Sequence, residues 1–208
     1  MITAEHIFYI LGGYISGSVL YSYFLPKYVK KIDITKESND GNPGAANAFL
    51  HGGVGLGICA LLLELLKGYM PVHLALMTLN PEEWSFGLVL AAPVLGHAFP
   101  FWSPHMGGKS IAVSFGVLLG LLPDWQPVLL LAILYLLFSL VIVIRPHFFR
   151  SVVTFFLFFG GMVWKKAATG ILLGSGILSC VVIWKHLVRY RNERLEICFP
   201  LLQKKREK

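Results

Sequence analysis

The chain has 208 residues, of which 56% are hydrophobic and only 14% are charged. A soluble domain carries about 25% charged residues, so this composition excludes an ordinary water-soluble protein and predicts a single all-α integral membrane domain, 1–208. The formal net charge of +7 is typical of cytoplasmic loops that face anionic lipid, and we expect no nucleic-acid partner.

Seven apolar runs follow one another along the chain and are candidate transmembrane helices. An odd number of crossings places the two termini on opposite sides of the membrane. Several of the runs are short for a full hydrocarbon core. In chain order they are roughly His6–Leu25, Val54–Leu79, Trp84–Trp102, Ile111–Leu122, Val128–Ile144, Ser151–Trp164 and Ala168–Trp184.

The distribution of basic residues predicts the orientation. Lysine and arginine concentrate in the loops after the first, third and fifth runs and in a basic C-terminal tail, 186–208. The opposite loops contain Glu82, Glu83 and Asp124, with Lys165 and Lys166 as exceptions. The positive-inside rule therefore predicts an outside N-terminus and a cytoplasmic C-terminus.

Three features before the third run carry chemistry. The stretch Gly12–Ser18 supplies small residues that let a neighbouring helix approach closely. The loop Ser38–Asn47 crowds amide, hydroxyl and carboxylate groups that suit hydroxyls or phosphate oxygens. Glu64 and Lys67 share one helix face at i and i+3. Charges at that depth are costly, so the two are either a mutually satisfied structural pair or a pair that orients groups of a polar site.

The stretch Gly96–Pro100, followed by Gly107-Gly108-Lys109-Ser110, is the polar junction between two apolar runs. Flexible glycine backbone lets N–H groups close on an anion, and a lysine beside it adds a point charge. The alternative is an ordinary loop with a topogenic lysine. A nucleotide-binding P-loop fits poorly, because its first glycine would fall on Ser103 and no strand precedes it.

Together these motifs resemble those of the PlsY-type acyl-phosphate:glycerol-3-phosphate acyltransferases of bacteria. The resemblance runs in order from the first run to about Gly116. The matching stretches are Gly17-Ser18, Gly41–Asn47, Glu64–Gly68, Gly96–Pro100 and Gly107–Lys109.

The resemblance implies a seven-span enzyme of the bacterial cell membrane whose active face is cytoplasmic. Such an enzyme transfers a fatty acyl group from acyl-phosphate to the 1-hydroxyl of glycerol 3-phosphate, giving lysophosphatidate for phospholipid synthesis. Its partners are these two substrates and membrane lipid, and it uses no metal or cofactor.

The resemblance and the chemistry of the side chains together predict the site residues. His97 is the motif histidine that can accept the hydroxyl proton, although a structural hydrogen bond is an equal alternative. His186 and Ser151 are the other two predicted catalytic residues. The predicted substrate-binding residues are Ser18, Asn42, Gly44, Asn47, Lys67, Gly107, Gly108, Lys109 and Ser110.

Several polar positions depart from the family pattern. Asn39-Asp40-Gly41 stands where the family has Gly-Ser-Gly, Ser110 replaces a glycine, and Arg189 replaces an asparagine. These departures leave open a divergent paralogue with a changed acceptor or no activity. A small lipid or solute transporter is a further alternative, because intramembrane charges also mark transport paths, although no inverted repeat supports it.

Overall fold

The computed structural model describes residues 2–190 and 194–200. Most of these residues are helical, and a short antiparallel pair of strands places Val143 opposite Cys198. A 3₁₀ turn covers Pro104–Met106 and a π-helical turn, Leu137–Val141, extends α8. The elements are α1 (Ala4–Ser18), α2 (Tyr21–Val29), α3 (Ile34–Glu37), α4 (Ala45–Gly52), α5 (Val54–Leu76), α6 (Trp84–Ala98), α7 (Ile111–Leu119), α8 (Gln126–Leu136), β1 (Val143–Arg145), α9 (His147–Trp164), α10 (Thr169–Val188) and β2 (Glu196–Cys198).

Each of the seven predicted runs coincides with helix. Among the described residues, four stretches are long and apolar enough to cross a bilayer: Ala4–Val29, Val54–Leu76, His147–Trp164 and Thr169–Val188. Helix α7 has 9 residues, and a helix of that length spans about 14 Å of a hydrocarbon core that is about 30 Å thick. The all-α membrane class is confirmed, whereas seven crossings and the side of each terminus stay predictions.

Helix α6 lies at the centre of the bundle, between α1 and α10. Most of its residues are apolar, so neighbouring helices can surround it, and Phe86, Leu90 and Val94 are fully buried. Gly17 of α1 packs closely on Pro93, and a Cβ on Gly17 would overlap the backbone of Pro93. Gly12 faces open space. The predicted close helix approach is therefore confirmed for one face of α1.

A second close approach joins α5 to α7. Gly68 of α5 lies against the backbone of Val113, and Gly116 of α7 lies against Leu65. Because neither glycine carries a side chain, the two backbones come close enough to place the polar face of α5, with Glu64, beside the beginning of α7. This packing builds one wall of the cavity described below.

Many large apolar side chains are exposed on the outer surface of the bundle. Phe8, Leu11 and Ile15 are exposed along one face of α1, at the spacing of successive helical turns. Exposed tryptophans stand where α6 begins and where α9 ends, at Trp84 and Trp164. Apolar faces with tryptophan at the helix ends suit a lipid core bounded by two interfaces.

The predicted basic tail, 186–208, begins inside a helix. His186 is buried in α10, which continues to Val188, and Glu196–Cys198 then forms β2 on β1. The remaining basic residues of the tail lie partly outside the described residues, including all of 201–208. Helix α10 therefore extends into the predicted tail as far as Val188.

Candidate functional site

A cavity of about 430 Å³ lies where the ends of several helices meet. The beginnings of α4, α7 and α9, the end of α6 and the middle of α5 all contribute to its wall. Its polar lining residues are Asp40, Asn42, Asn47, Glu64, His97, Lys109, Ser110, Tyr135 and His147, and its other lining residues include Gly44, Leu61, Ile111 and Phe115. An ionic group and an apolar group can therefore be held side by side in this cavity.

The mouth of the cavity carries an ion pair between Lys109 and Asp40, with Nζ and Oδ2 2.8 Å apart. Oδ1 of Asp40 accepts hydrogen bonds from Asn47 Nδ2 at 2.9 Å and from the backbone N–H of Asn42 at 3.1 Å. Partial burial opposes ionisation, but the hydrogen bonds from Lys109 and Asn47 outweigh it and lower the pKa of Asp40 to about 2. Asp40 is therefore a carboxylate at neutral pH.

The backbone around Asp40 explains how the carboxylate reaches these donors. Gly41 has a φ of 58°, a left-handed conformation that glycine adopts without steric cost. The chain then turns into α4 at Gly44, which caps that helix. Asn47 lies in the first turn of α4 and also donates to the carbonyl of Asn42 at 2.8 Å. The loop and the helix end form one hydrogen-bonded unit.

The glycines before Lys109 serve close packing. A Cβ on Gly107 would overlap the carbonyl of Ala98, and a Cβ on Gly108 would overlap Nε2 of His97. The N–H of Gly108 donates to the carbonyl of His97 at 3.0 Å. This turn is therefore fastened to the end of α6, and neither glycine lines the cavity.

Ser110 follows in the left-handed region, with a φ of 62°. Side chains other than glycine adopt this conformation at a cost of roughly 1–2 kcal/mol. Its hydroxyl donates to the carbonyl of Val94 at 3.2 Å. The departure from the family glycine at this position thus falls where glycine is the least strained residue.

The deep wall of the cavity is a buried cluster of Glu64, Lys67 and His97. Oε2 of Glu64 lies 2.7 Å from Lys67 Nζ and 3.0 Å from His97 Nδ1. The other oxygen, Oε1, accepts the backbone N–H of Ser22 at 3.1 Å. The predicted i, i+3 pair is confirmed, and the pair also holds Nδ1 of His97, which leaves Nε2 as the ring nitrogen without a charged partner.

Lys67 does not line the cavity. Its ammonium group donates to the carbonyls of Gly17 and Val19 at 2.9 and 2.6 Å, besides its contacts with Glu64 and His97. With these groups around it, Lys67 has no hydrogen left for a substrate, and its assignment to substrate binding is replaced by a structural one. It fastens the break between α1 and α2 to α5.

A second histidine cluster lies across the cavity. The rings of His147 and His186 stack in parallel, with centroids 5.7 Å apart. Ser151 Oγ lies 3.1 Å from His147 Nδ1, and Tyr135 OH lies 3.0 Å from His147 Nε2. Nδ1 of His186 donates to the carbonyl of Val182, while its buried Nε2 has no hydrogen-bond partner among the residues that the structure describes.

Arg189 ties two parts of the site together from behind. Its guanidinium donates to Asn42 Oδ1 at 2.8 Å and to the carbonyl of Gly107 at 2.9 Å. It therefore joins the Asp40 loop to the turn that carries Lys109. The replacement of the family asparagine by arginine supplies the reach and the two donors that this bridge requires.

The structure brings only part of the predicted set into the cavity. Ser18 donates to the carbonyl of Tyr14 within its own helix, and Ser151 and His186 contact His147 behind the wall. The predicted residues in the wall are Asn42, Gly44, Asn47, His97, Lys109 and Ser110, and those outside it are Ser18, Lys67, Gly107, Gly108, Ser151 and His186.

Four polar lining residues were not predicted as site residues. Asp40 stands in the polar loop beside Asn42, Glu64 was recognised only as half of a charge pair, and His147 follows the basic end of the fifth run. Local sequence therefore contained a signal for these three. Tyr135 is a single hydroxyl in an apolar run, and nothing in the local pattern distinguishes it from a lipid-facing aromatic residue.

Comparison with known proteins places this geometry in a family. The family model described as glycerol-3-phosphate acyltransferase matches residues 7–193. A glycerol-3-phosphate acyltransferase of Shouchella clausii is 43% identical over 117 residues, which are 54% of this chain and 55% of that protein. The glycerol-3-phosphate acyltransferase of Pseudomonas syringae is 32% identical over 179 residues, which are 86% of this chain and 89% of that protein.

Two solved structures share the fold. Crystal structures of PlsY, an integral membrane glycerol 3-phosphate acyltransferase, superpose with TM-scores of 0.78 for the glycerol 3-phosphate form and 0.75 for the lysophosphatidic acid form. Each is 23% identical to this chain, and the first superposition covers 89% of this chain and 90% of PlsY. For the first two curated relatives the match spans about half of their length, 55% in each.

Proposed function

The chain belongs to the glycerol-3-phosphate acyltransferase family, and on that premise we propose that it acylates the 1-hydroxyl of glycerol 3-phosphate at the cavity of Lys109 and His97. The proposed donor is acyl-phosphate, and the proposed products are lysophosphatidate and inorganic phosphate. The observation that carries the proposal is a single cavity that combines a lysine and amide donors at its mouth with a buried histidine at its base.

The substrate classes follow from the lining. Phosphate oxygens need cations and N–H donors, which Lys109, Asn47 and the Asn42 backbone supply. A fatty acyl chain needs an apolar path, and Leu61, Ile111 and Phe115 line the cavity beside these groups. The related PlsY has been crystallised in glycerol 3-phosphate and lysophosphatidic acid forms, which supports the same acceptor and product for this chain.

The proposed step is an acyl transfer in which two bonds change. The acceptor's hydroxyl oxygen attacks the acyl carbonyl carbon, the new ester C–O bond forms, and the bond from that carbon to the phosphate oxygen breaks. The phosphate leaves with the bonding electrons. Because the donor is already activated, the protein's main task is to place the two phosphate-bearing substrates and to screen their charge.

His97 is the group we assign to the hydroxyl proton. Its Nδ1 lies 3.0 Å from the carboxylate of Glu64, and a proton held there leaves Nε2 free to accept another. As Nε2 takes the proton, the imidazolium forms beside the carboxylate of Glu64, whose charge offsets that of the Lys67 ammonium 2.9 Å from Nδ1. Lys67 holds that carboxylate in place at 2.7 Å.

The location proposed for this reaction is the cytoplasmic face of a bacterial cell membrane. Positively charged residues near the cavity, Lys109 and Arg189, lie on the side that the positive-inside rule assigns to the cytoplasm. Water-soluble glycerol 3-phosphate would enter from that side. The acyl donor and the product would move within the lipid.

The test is an acyl-transfer assay on the purified full chain in detergent. Radiolabelled glycerol 3-phosphate is incubated with palmitoyl-phosphate, with palmitoyl-CoA or with palmitoyl-acyl carrier protein, and labelled lysophosphatidate is extracted and counted. We expect labelled lysophosphatidate with palmitoyl-phosphate and none with the other two donors. Product with another donor would overturn the donor assignment, and its absence with every donor, together with glycerol 3-phosphate uptake into proteoliposomes, would favour a transporter instead.

A further inference from the structure

The anion-binding donors at the cavity mouth already hold an anion that belongs to the chain. Lys109 Nζ, Asn47 Nδ2 and the N–H of Asn42 all point at the carboxylate of Asp40, at 2.8, 2.9 and 3.1 Å. These are the same three donors that the proposed function assigns to a phosphate. A carboxylate and a phosphate oxygen accept such bonds with similar geometry, so the two compete for one set of donors.

We propose that Asp40 is an affinity-determining residue whose carboxylate occupies the phosphate-binding donors of this cavity and must yield them before a phosphate-bearing substrate binds. The inference rests on the proposed function for the identity of the substrate. The inference adds that the Asp40 carboxylate weakens phosphate binding. Without this one side chain, the cations of the cavity would bind phosphate more tightly.

The charges around the cavity mouth support this assignment. Lys109 is the cation in the wall, and Asp40 neutralises it within hydrogen-bond distance. Arg189 lies behind the wall with its donors committed to Asn42 and Gly107. Glu64 at the base is matched by Lys67. Among the described wall residues, a dianionic phosphate therefore meets a lysine whose charge is already neutralised by Asp40 while Asp40 remains ionised.

Exposure makes the exchange possible. The side chain of Asp40 is 34% exposed and that of Lys109 is 18% exposed, whereas those of Glu64 and Lys67 are almost completely buried. An ion pair with that exposure contributes little stability, because water solvates both groups when they separate. The Lys109 side chain is long and flexible, so it can turn from Asp40 to a phosphate without movement of the helices.

Asp40 also differs from its neighbours in how it relates to the family pattern. The family pattern has serine in the place of Asp40, and the chain keeps the asparagines and the lysine around it. The donors are therefore retained while an acidic group has been added among them. This combination is expected of a site whose affinity for phosphate is reduced and whose position is unchanged.

The experiment compares Asp40→Asn with wild-type protein by isothermal titration calorimetry of the purified full chain in detergent. Asparagine keeps an oxygen for Asn47 and for the Asn42 N–H but removes the charge that holds Lys109. The matched control is Asp33→Asn, which makes the same change in net charge at the N-cap of α3, where Asp33 bonds Thr35 and does not line the cavity.

Inorganic phosphate and glycerol 3-phosphate are titrated separately, without an acyl donor. We expect the dissociation constant of Asp40→Asn to fall about tenfold, because a like charge beside the bound anion has been removed, and that of Asp33→Asn to stay within about twofold of wild type. Tightening for glycerol 3-phosphate alone assigns the donors to the acceptor's phosphate. Tightening for inorganic phosphate alone assigns them to the phosphate of the acyl donor.

An unchanged or larger dissociation constant for both ligands in Asp40→Asn would overturn the inference and would make Asp40 a residue that orients Lys109. If Asp40→Asn melts below wild type, Asp40→Ser provides the second variant with the same expected direction. The outcome is independent of turnover: tighter phosphate binding without acyl transfer by any variant refutes only the proposed reaction. Acyl transfer with unaltered binding in both Asp40 variants refutes only the role of Asp40.

Discussion

In the described part of the bundle, one lysine–carboxylate pair lies at the base of the cavity and another lies at its mouth. The Glu64–Lys67 pair is buried, and its lysine also donates to two backbone carbonyls. The Asp40–Lys109 pair is partly exposed, and its lysine makes no other hydrogen bond among the described residues. A lysine ammonium and a carboxylate therefore stabilise the fold at the base of the cavity. At its mouth, the same two groups can separate and bind a ligand instead.

Burial accounts for this difference. A buried ion loses its hydration, so each of its hydrogen-bonding positions must find a protein partner, and the resulting cluster resists change. A partly exposed ion keeps water as an alternative partner, so its contacts can be replaced at little cost. The type of residue alone does not decide whether a charge belongs to the architecture or to the ligand.

The largest effect is expected from breaking the buried pair. Lys67→Met leaves the carboxylate of Glu64 without its cation inside the bundle, and the expected loss of stability is about 3–5 kcal/mol. The measurement is thermal unfolding in detergent, followed by circular dichroism. The double variant Glu64→Gln with Lys67→Met should recover part of the loss, since no unpaired charge remains, and equal instability of the two would contradict the ion-pair explanation.

Lys109→Ala should reduce activity strongly and stability only slightly. We expect acyl transfer to fall by about a hundredfold or more, because a charge that holds the phosphate is lost. Stability should change by less than about 1 kcal/mol, since the pair with Asp40 is partly exposed.

The matched control for Lys109→Ala is Lys165→Ala, which removes an exposed lysine bonded to Gln126 outside the cavity. The control should retain wild-type activity. Similar losses of activity in the two variants would show that the surface charge of the protein matters and that the cavity lysine has no special role.

A smaller effect is expected at Ser110, which follows Lys109 in the chain and has a left-handed backbone. Ser110→Gly and Ser110→Ala both lose the hydrogen bond to Val94, but only glycine relieves the strain at a φ of 62°. The glycine variant should therefore be more stable than the alanine variant by about 1 kcal/mol. Their melting temperatures in the same detergent make the comparison, and equal values would refute the left-handed conformation.

The smallest effect concerns the pH dependence of the exposed pair. The pKa of Asp40 is lowered from 3.8 to about 2, so its ion pair stabilises the protein above about pH 4 and the stabilisation is lost as the pH falls through about 2. Between pH 8 and pH 5 the difference in melting temperature between wild type and Asp40→Asn should stay constant. It should shrink between pH 4 and pH 2, and a shrinkage already at pH 6 would contradict the lowered pKa.

Much of the site could be predicted locally, because some contacts lie within a few residues. The i, i+3 spacing of Glu64 and Lys67 predicts their pairing, and the polar loop before Asn47 predicts ligands for hydroxyl or phosphate oxygens. For the glycines of the turn before Lys109, the structure adds a reason that the sequence did not indicate. Their assignment to an anion stays a prediction, and both also pack against the end of α6.

Composition and motif order were sufficient for the membrane class, the helical segments and the family, because hydropathy and short motifs are local properties of the chain. Only the tertiary structure decided which charge meets which. Asp40 contacts Lys109, and Asn42 contacts Arg189, although the members of each pair lie far apart in the sequence. Helical or strand periodicity relates only residues that are close in sequence. The buried lysine and the exchangeable lysine are distinguished by their surroundings, and helix packing creates those surroundings.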